Sequence, residues 1–176
     1  MQDETAACRT VCTMSLSIIR TALEPAIRRA LHLYWRFARG MTLGVRGMVI
    51  DATGRVFLVR HGYVAGWHLP GGGVETGESA LEALRRELRE EGQIEIDGTP
   101  SLFGFYFNRH VSRRDHVALY VIRDFHQPRL PVPNREIIAC GFFDPASLPP
   151  GTTAGTRQRI AEVMNALPPA EDWVGA

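Results

Sequence analysis

A glycine-rich turn followed by an acidic helix is the feature that most constrains this chain. Residues 71–94 read GGGVETGESALEALRRELREEGQI. Ser79 and Glu82 have the spacing of a capping box and leucines recur behind them at helical intervals, which predicts a helix that ends at Gly92. Three carboxylates at i, i+3 and i+4 share one face of this helix: Glu87, Glu90 and Glu91.

Like charges at this spacing repel one another by roughly a few tenths of a kcal/mol per pair, so a compensating charge is expected if the carboxylates converge. A hard cation that prefers oxygen ligands, Mg²⁺ or Mn²⁺, would supply it. Interleaved arginines also make such a helix typical of a solvated, salt-bridged surface. The preceding turn favours the metal hypothesis, because its glycines let the backbone approach a metal or a phosphate closely.

The segment resembles the signature of the Nudix hydrolases. That signature is Gly, five residues, Glu, seven residues, Arg-Glu, an aliphatic residue, any residue, Glu-Glu, any residue, Gly and an aliphatic residue. Eight of its nine specified positions match here: Gly72, Glu78, Arg86, Glu87, Leu88, Glu90, Glu91 and Ile94. Gln93 stands where the family has its second glycine. This departure puts the geometry of the helix exit in question, but not the acidic residues.

The resemblance implies a Mg²⁺- or Mn²⁺-dependent enzyme that hydrolyses a diphosphate bridge in a nucleoside diphosphate derivative. The implied substrates are nucleotide sugars, dinucleotides and damaged nucleoside triphosphates. The implied metal ligands are the carbonyl of Gly71 and the three carboxylates of Glu87, Glu90 and Glu91. Arg86 and Glu78 are implied to orient these acids through hydrogen bonds.

The general base is implied to be Glu87, Glu91 or an acid on a distal loop. In many Nudix sequences a glutamate precedes an aromatic strand and a Leu-Pro turn, as Glu136 does here, and it assists the metal or the base. An ordinary surface acid is the alternative for Glu136. The predicted catalytic residues are Glu87, Glu91, Arg86 and Glu136.

Two other functions stay open. A Nudix-type metabolite-binding or sensor domain would recognise such ligands without cleaving them, although a pure binder has no need for the full set of acids. Isomerase chemistry on isoprenoid diphosphates would want a cysteine near the metal, and Cys140 lies far along the chain from the signature.

Substrate choice is expected to depend on residues outside the signature. The segment from Asn108 to Asp115 is rich in arginine and lies between two predicted strands, so it either clamps a phosphate or forms a solvated hairpin tip. The same choice applies to Arg60 and His61, while Trp67 stacks on a base or belongs to the core. The candidate substrate-binding residues are Arg60, Arg109, Arg113 and Arg114.

The fold predicted from the pattern is a layered α/β domain, which the resemblance specifies as a Nudix-type α/β/α sandwich around a mixed β-sheet. Residues 41–51 and 55–61 are predicted to form a hairpin, and 101–107 pairs with 116–125. A strand over 136–144 and a helix over 152–167 follow. We expect a Nudix domain over 41–168 and a C-terminal tail over 169–176.

Residues 1–40 form a separate extension with an amphipathic, basic helix predicted over 14–39, in which Pro25 starts or kinks a second segment. This helix packs on the domain or on a second subunit as a homodimer, or it contacts a membrane surface. No apolar run is long enough to cross a bilayer, and no secretory signal is expected.

Composition points to an ordinary enzyme with one catalytic domain. The chain has 176 residues, of which 45% are hydrophobic and 22% charged, and its formal net charge is +1. That charge gives no general attraction to nucleic acid, so a small nucleotide-type substrate is expected and no specific nucleic-acid partner. Three sparse cysteines suggest a reducing, cytoplasmic compartment.

Overall fold

The computed structural model describes residues 40–174 and six positions of the preceding segment. Those six positions are helical: Pro25, Ile27, Arg28, Arg29, Leu31 and Tyr34. The rest of the helix predicted over 14–39 lies outside the described residues, as do Cys8 and Cys12. The chain divides into two compact units, Met1–Gly40 and Met41–Ala176.

The second unit alternates short strands with two helices. Its elements are β1 (Thr42–Val49), β2 (Val56–His61), α1 (Ala80–Gly92), β3 (Glu95–Ile96), β4 (Ser101–Phe107), β5 (Asp115–Ile122), β6 (Phe125–His126), β7 (Ile137–Phe143), a 3-10 helix (Pro145–Ser147) and α2 (Ala154–Met164). Within the part of the chain that the structure describes, no helix has the length and apolar character needed to cross a membrane.

The strands form one mixed sheet and two smaller pairs. β1 runs parallel to β5, and β4 runs antiparallel to β5, which gives the order β1-β5-β4. β2 pairs antiparallel with β7, and β3 with β6. The predicted pairing of the strands on either side of the Asn108–Asp115 segment is therefore confirmed.

The predicted hairpin between β1 and β2 is wrong. A tight turn does join the two strands, but they share only the single bridge between Ile50 and Val56 and belong to different sheets. One edge of β1 is taken by β5. The other edge is taken by the glycine turn, where the Val45 amide donates to the Gly72 carbonyl at 2.8 Å. No edge of β1 is left for β2.

Alternating residues of β1 enter two cores on opposite faces of the mixed sheet, as the period of a strand requires. Val45 lies in a buried cluster with Leu84 of α1. Met48 lies in a second cluster with Ile160 of α2. Each fully buried side chain of this size contributes about 1.5–3 kcal/mol, so both helices are held to the sheet by burial. The predicted sandwich of helices around a mixed sheet is confirmed.

The segment predicted as a C-terminal tail packs on the domain as far as it is described. The Phe107 amide donates to the Glu171 carbonyl, and the Trp173 amide donates to the Phe107 carbonyl, both at 2.9 Å. The guanidinium of Arg159 in α2 donates to the Trp173 carbonyl at 3.1 Å. These bonds satisfy backbone groups at the outer edge of β4.

Candidate active site

The glycine turn is held against β1 by backbone hydrogen bonds. Besides the bond to Gly72, the Gly47 amide donates to the Pro70 carbonyl at 2.9 Å. Gly71 has φ +136°, and a Cβ there would overlap the Val45 carbonyl. Only glycine tolerates this conformation at so close an approach of two backbones. The turn is therefore a fixed part of the sheet edge.

Helix α1 begins with the predicted capping box, which the structure confirms. The Glu82 amide donates to Ser79 Oγ at 3.2 Å, and the Ser79 amide donates to Glu82 Oε2 at 2.8 Å. These bonds satisfy two amides that the first helical turn leaves unpaired, and they set where the helix begins. The same start fixes the position of every later residue on its faces.

The helix exit explains how Gln93 replaces the second glycine of the signature. Gln93 is the C-cap and adopts a left-handed conformation with φ 51°, which glycine adopts at less cost. Its side-chain amide donates to the Arg89 carbonyl at 3.1 Å. Gly92, one position earlier, packs so closely that a Cβ would lie 3.0 Å from the Phe57 ring. The exit thus keeps its geometry without the usual glycine.

Arg86 ties the helix to the residues before it. Its guanidinium donates to Glu87 Oε1 at 2.7 Å, to Glu78 Oε1 at 3.0 Å and to the Gly73 carbonyl at 3.1 Å. The hydrogen bond from Arg86 lowers the pKa of Glu78, and the hydrogen bonds from Glu78 and Glu87 raise the pKa of Arg86. These hydrogen bonds hold the Glu87 carboxylate beside Gly73 and Glu78, and the role implied for Arg86 and Glu78 toward a metal stays a prediction.

Glu91 is the buried acid of the site, with only 5% of its side chain exposed. Its Oε2 accepts a hydrogen bond from the Gly71 amide at 2.8 Å, and its Oε1 lies 3.5 Å from His61 Nε2. Burial raises the pKa of Glu91 to about 7, against the Gly71 hydrogen bond and the charge of Arg46. Burial and the charge of Arg46 lower the pKa of His61 to about 4, so this imidazole is neutral at neutral pH.

Glu90 lies on the open side of the helix, with 62% of its side chain exposed and its Oε2 3.6 Å from Arg86 Nη1. Among the described residues, no three His, Cys, Asp or Glu side chains converge closely enough to hold a metal as they stand. The donor set nevertheless fits a hard cation, because it consists of oxygens from Glu87, Glu91 and the Gly71 carbonyl around one turn. A buried carboxylate such as Glu91 also gains from a nearby positive charge.

Sequence reasoning missed Arg46, which lies in the middle of β1. Its Nη1 donates to the Leu69 carbonyl at 3.0 Å and also to the Gly71 carbonyl. Burial lowers the pKa of Arg46, and the charges of Glu91 and Glu87 oppose that shift. The available signal was a lone arginine in the otherwise apolar strand TLGVRGMV. That pattern does not say which groups the arginine meets.

His61 and Tyr63 were also not assigned to the acidic site. The Tyr63 ring centroid lies 5.2 Å from that of His61, and 69% of Tyr63 is exposed. Burial is the largest cause of the raised pKa of Tyr63, and the charges of Glu136 and Glu91 raise it further. Glu136 also contributes to the raised pKa of Glu91. The charge of Glu136 therefore acts on Glu91, and the assistance of Glu136 in catalysis stays a prediction.

A cavity of about 580 Å³ lies beside the turn. Its lining includes Gly72, Gly73 and Arg46 together with apolar side chains. Three polar residues also line it: the Asp115 carboxylate accepts hydrogen bonds from Thr42 Oγ1 at 2.6 Å and from Asn108 Nδ2 at 2.7 Å. The remaining lining residues are Met41, Leu43, Gly44, Val74, Thr76, Val111 and Val117.

The four candidate substrate arginines occupy other places. Arg109 pairs with Asp172 at 3.0 Å, and its guanidinium lies 5.5 Å from the centre of the Phe107 ring. All four are exposed, and none of them is among the described residues that line the cavity: Arg60, Arg109, Arg113 and Arg114. The Asn108–Asp115 segment contributes uncharged and acidic side chains instead. Substrate binding by these arginines stays a prediction.

Trp67 and Cys140 take part in packing. The Trp67 ring lies 4.9 Å from that of Phe143 and packs against the second core, which favours the core interpretation over base stacking. Cys140 lies on β7 opposite Val59 and packs against the first core. Burial raises the pKa of its thiol, so it is less reactive than an exposed cysteine.

Comparison with known proteins gives related sequences of limited extent. The chain is 31% identical over 125 residues to an m7GpppN-mRNA hydrolase of Xenopus laevis, which covers 60% of this chain and 42% of that protein. It is 50% identical over 44 residues to an RNA pyrophosphohydrolase of Halorhodospira halophila, which covers 25% of this chain and 24% of the relative. The match therefore spans less than half of each of these relatives.

The fold and the family pattern cover a somewhat larger share of the chain than these two relatives do. A crystal structure of a MutT NUDIX hydrolase from Burkholderia pseudomallei superimposes with a TM-score of 0.60 and 25% identity, covering 69% of this chain and 97% of that one. The pattern of the NUDIX domain matches residues 40–164, which include the turn, the acidic helix and the cavity. The chain belongs to the Nudix family of hydrolases.

Proposed function

We propose that this protein hydrolyses a diphosphate bridge in a nucleoside diphosphate derivative and depends on Mg²⁺ or Mn²⁺. The observation that carries the proposal is the position of Glu91. Its carboxylate is buried and bonded to the amide of Gly71, while the adjoining Gly72 and Gly73 line the cavity. A buried carboxylate bonded to the same turn that borders the cavity suits hydrolysis better than binding alone.

The proposed metal ligands are Glu87, Glu90, Glu91 and the carbonyl of Gly71. A divalent metal bound by them would neutralise charge on the diphosphate and lower the pKa of a water. Glu90 would have to leave its position near Arg86, which costs little because a half-exposed ion pair at 3.6 Å is weak.

The protein's own residues keep these acids in place. Arg86 holds Glu87 through a charge-assisted hydrogen bond and joins it to Glu78 and Gly73. The Gly71 amide orients Glu91 from one side and neutral His61 lies on the other. Such support fixes the geometry before the substrate arrives, which lowers the barrier to reaction.

The general base is proposed to be one of three acids: Glu87, Glu91 and Glu136. Glu136 lies on the segment before β7, where its carbonyl accepts a hydrogen bond from the Gly62 amide at 2.8 Å. A loop acid of this kind can accept a proton without also serving as a metal ligand. A glutamine substitution at each position separates the roles, since loss of a ligand lowers metal affinity and loss of only the base does not.

The cavity is proposed to hold the nucleoside half of the substrate. Its apolar side chains suit the faces of a base or a sugar, and the Thr42–Asp115–Asn108 group offers polar contacts. Two relatives are named for RNA substrates. The substrates to be tested therefore include nucleotides at the 5′ end of a short RNA as well as free nucleotides.

The experiment is a panel of nucleotide sugars, dinucleotides, damaged nucleoside triphosphates and 5′-phosphorylated or capped RNA, each with Mg²⁺ or Mn²⁺ and with products identified by mass. We expect release at a diphosphate bridge in at least one class. Glu90→Gln and Glu91→Gln should abolish most of this product release. Glu95→Gln is the control and should not, because Glu95 is an exposed acid that pairs with Arg89. Full activity in both former variants would refute the metal assignment.

The alternative is a metabolite-binding or sensor domain. It would be favoured if the protein bound nucleotides of the panel and released no product with either metal.

The cysteine content supports a cytoplasmic site for the activity. Contact of residues 1–40 with a membrane surface or with a second subunit is tested by liposome co-sedimentation and by sizing of full-length protein and protein lacking those residues.

A further inference from the structure

Arg46 donates a hydrogen bond to the carbonyl that the proposed metal needs. Its Nη1 contacts the Gly71 carbonyl and, at 3.0 Å, the Leu69 carbonyl. The amide of the same Gly71 donates to Glu91. Both backbone polar groups of Gly71 are therefore engaged by charged side chains, one cationic and one acidic.

The charge of Arg46 belongs to the same site. The acids that attract its guanidinium most are Glu91 and then Glu87, two of the proposed metal ligands. Arg46 thus offsets part of their negative charge. A divalent cation on the Gly71 carbonyl would meet this guanidinium, and like charges repel more strongly in a partly buried site than in water.

The cavity offers Arg46 another anion. Arg46 is on its lining, as are Gly72 and Gly73 of the turn. A substrate diphosphate that enters beside the turn would lie within reach of the same side chain. A guanidinium presents several N–H donors in a planar fork, which suits phosphate oxygens better than a single carbonyl.

We propose that Arg46 changes its partner within this site. It donates to the Gly71 carbonyl until a metal binds that oxygen, and it then binds a phosphate of the substrate. The inference rests on the proposed function, because it takes Gly71 as a metal ligand. It makes Arg46 a positioning residue that links two binding events. The metal then binds weakly in the absence of a nucleotide. Each of the two ligands raises the affinity of the protein for the other by the same factor.

The experiment measures Mn²⁺ affinity by calorimetry on the full chain, with and without ADP as the probe. In Arg46→Gln we expect Mn²⁺ alone to bind about tenfold more tightly than in the unmodified protein, within the usual range of coupling between sites. ADP should then strengthen Mn²⁺ binding by a smaller factor than in the unmodified protein, since only the direct attraction between metal and diphosphate remains. Arg123→Gln is the matched control, since Arg123 is an exposed arginine just beyond the far end of β5.

Each outcome bears on the inference. If the unmodified protein binds Mn²⁺ and Arg46→Gln binds it equally or less tightly, the inference is wrong and Arg46 is a fixed support of the turn. If the unmodified protein binds no Mn²⁺ with or without ADP, the proposed metal site fails as well. Thermal melts report on folding. Should Arg46→Gln not fold, Arg46→Lys, whose ammonium lacks the planar fork, should still weaken the ADP effect, and an unchanged effect overturns the inference.

Discussion

Gly72 packs directly against the carboxylate of Glu87. A Cβ at Gly72 would lie 2.7 Å from Glu87 Cδ and would overlap its Oε1. The first glycine of the signature and its first helical acid therefore touch, although they stand far apart along the chain. The glycine is needed for the position of the carboxylate, since a side chain at this point would push Glu87 out of place.

Gly72→Ala is predicted to lower kcat/KM by roughly 10²-fold, the cost of a displacement near 1 Å in an active site. The fold should persist, because Glu87 is a side chain that can move. Steady-state kinetics on an active substrate of the panel measures the effect. Gly73→Ala is the control, since no atom lies within 4 Å of its Cβ position. Equal activity in the two variants would contradict the role of the Gly72 contact.

Gly44→Val is predicted to raise KM about tenfold with a smaller change in kcat, which corresponds to about 1.4 kcal/mol of lost binding. Gly44 lines the cavity, and a Cβ there would have ordinary contacts of 3.5 Å or more. The Cβ of the new side chain therefore fits without strain. Gly141→Val, on β7, serves as the control for stability. An unchanged KM would show that the substrate does not use this cavity.

Gln93→Gly is predicted to leave the free energy of unfolding within about 1 kcal/mol of its original value. Glycine removes the strain of the left-handed backbone conformation. This gain is offset by the larger conformational entropy that glycine loses on folding and by the lost hydrogen bond to the Arg89 carbonyl. Gln93→Val should destabilise the protein by roughly 1–3 kcal/mol, because a β-branched residue tolerates positive φ poorly. Urea denaturation measures both. A strongly destabilised glycine variant would show that the Gln93 side chain is essential.

Stability is predicted to fall above about pH 10, the pKa of tyrosine in an unfolded chain. Tyr106 is buried and donates to Glu162 at 2.9 Å, and burial followed by this bond raises its pKa. A raised pKa in the folded state stabilises the protein below the unfolded pKa, and this contribution is lost as pH rises above it. The sequence contains no lysine, so few other groups titrate in this range.

Tyr106→Phe is the matched variant for that pH dependence. It should cost about 1 kcal/mol at neutral pH, the worth of a typical hydrogen bond, and should flatten the loss of stability above about pH 10. Urea denaturation across this range provides the measurement. If the variant loses stability as steeply as the unmodified protein, Tyr106 is not the group responsible.

Local patterns predicted the secondary structure well where a local cause sets it. The capping box of Ser79 and the pairing of β4 with β5 depend on residues close in sequence. The β1–β2 hairpin was predicted from the same kind of signal and is wrong, because two distant segments, β5 and the glycine turn, compete for the edges of β1. Such competition leaves no trace in a short window of sequence.

By itself, the sequence determined the family and the acidic helix face, since the spacing of Glu87, Glu90 and Glu91 and the helical period suffice for both. Only the tertiary structure decided what surrounds that face. Arg46 and His61 come to it from β1 and β2, and the cavity forms where β1 and β5 begin side by side. The physical reason is that these contacts depend on how strands are ordered in a sheet, which is settled by burial over the whole domain and not by neighbouring residues.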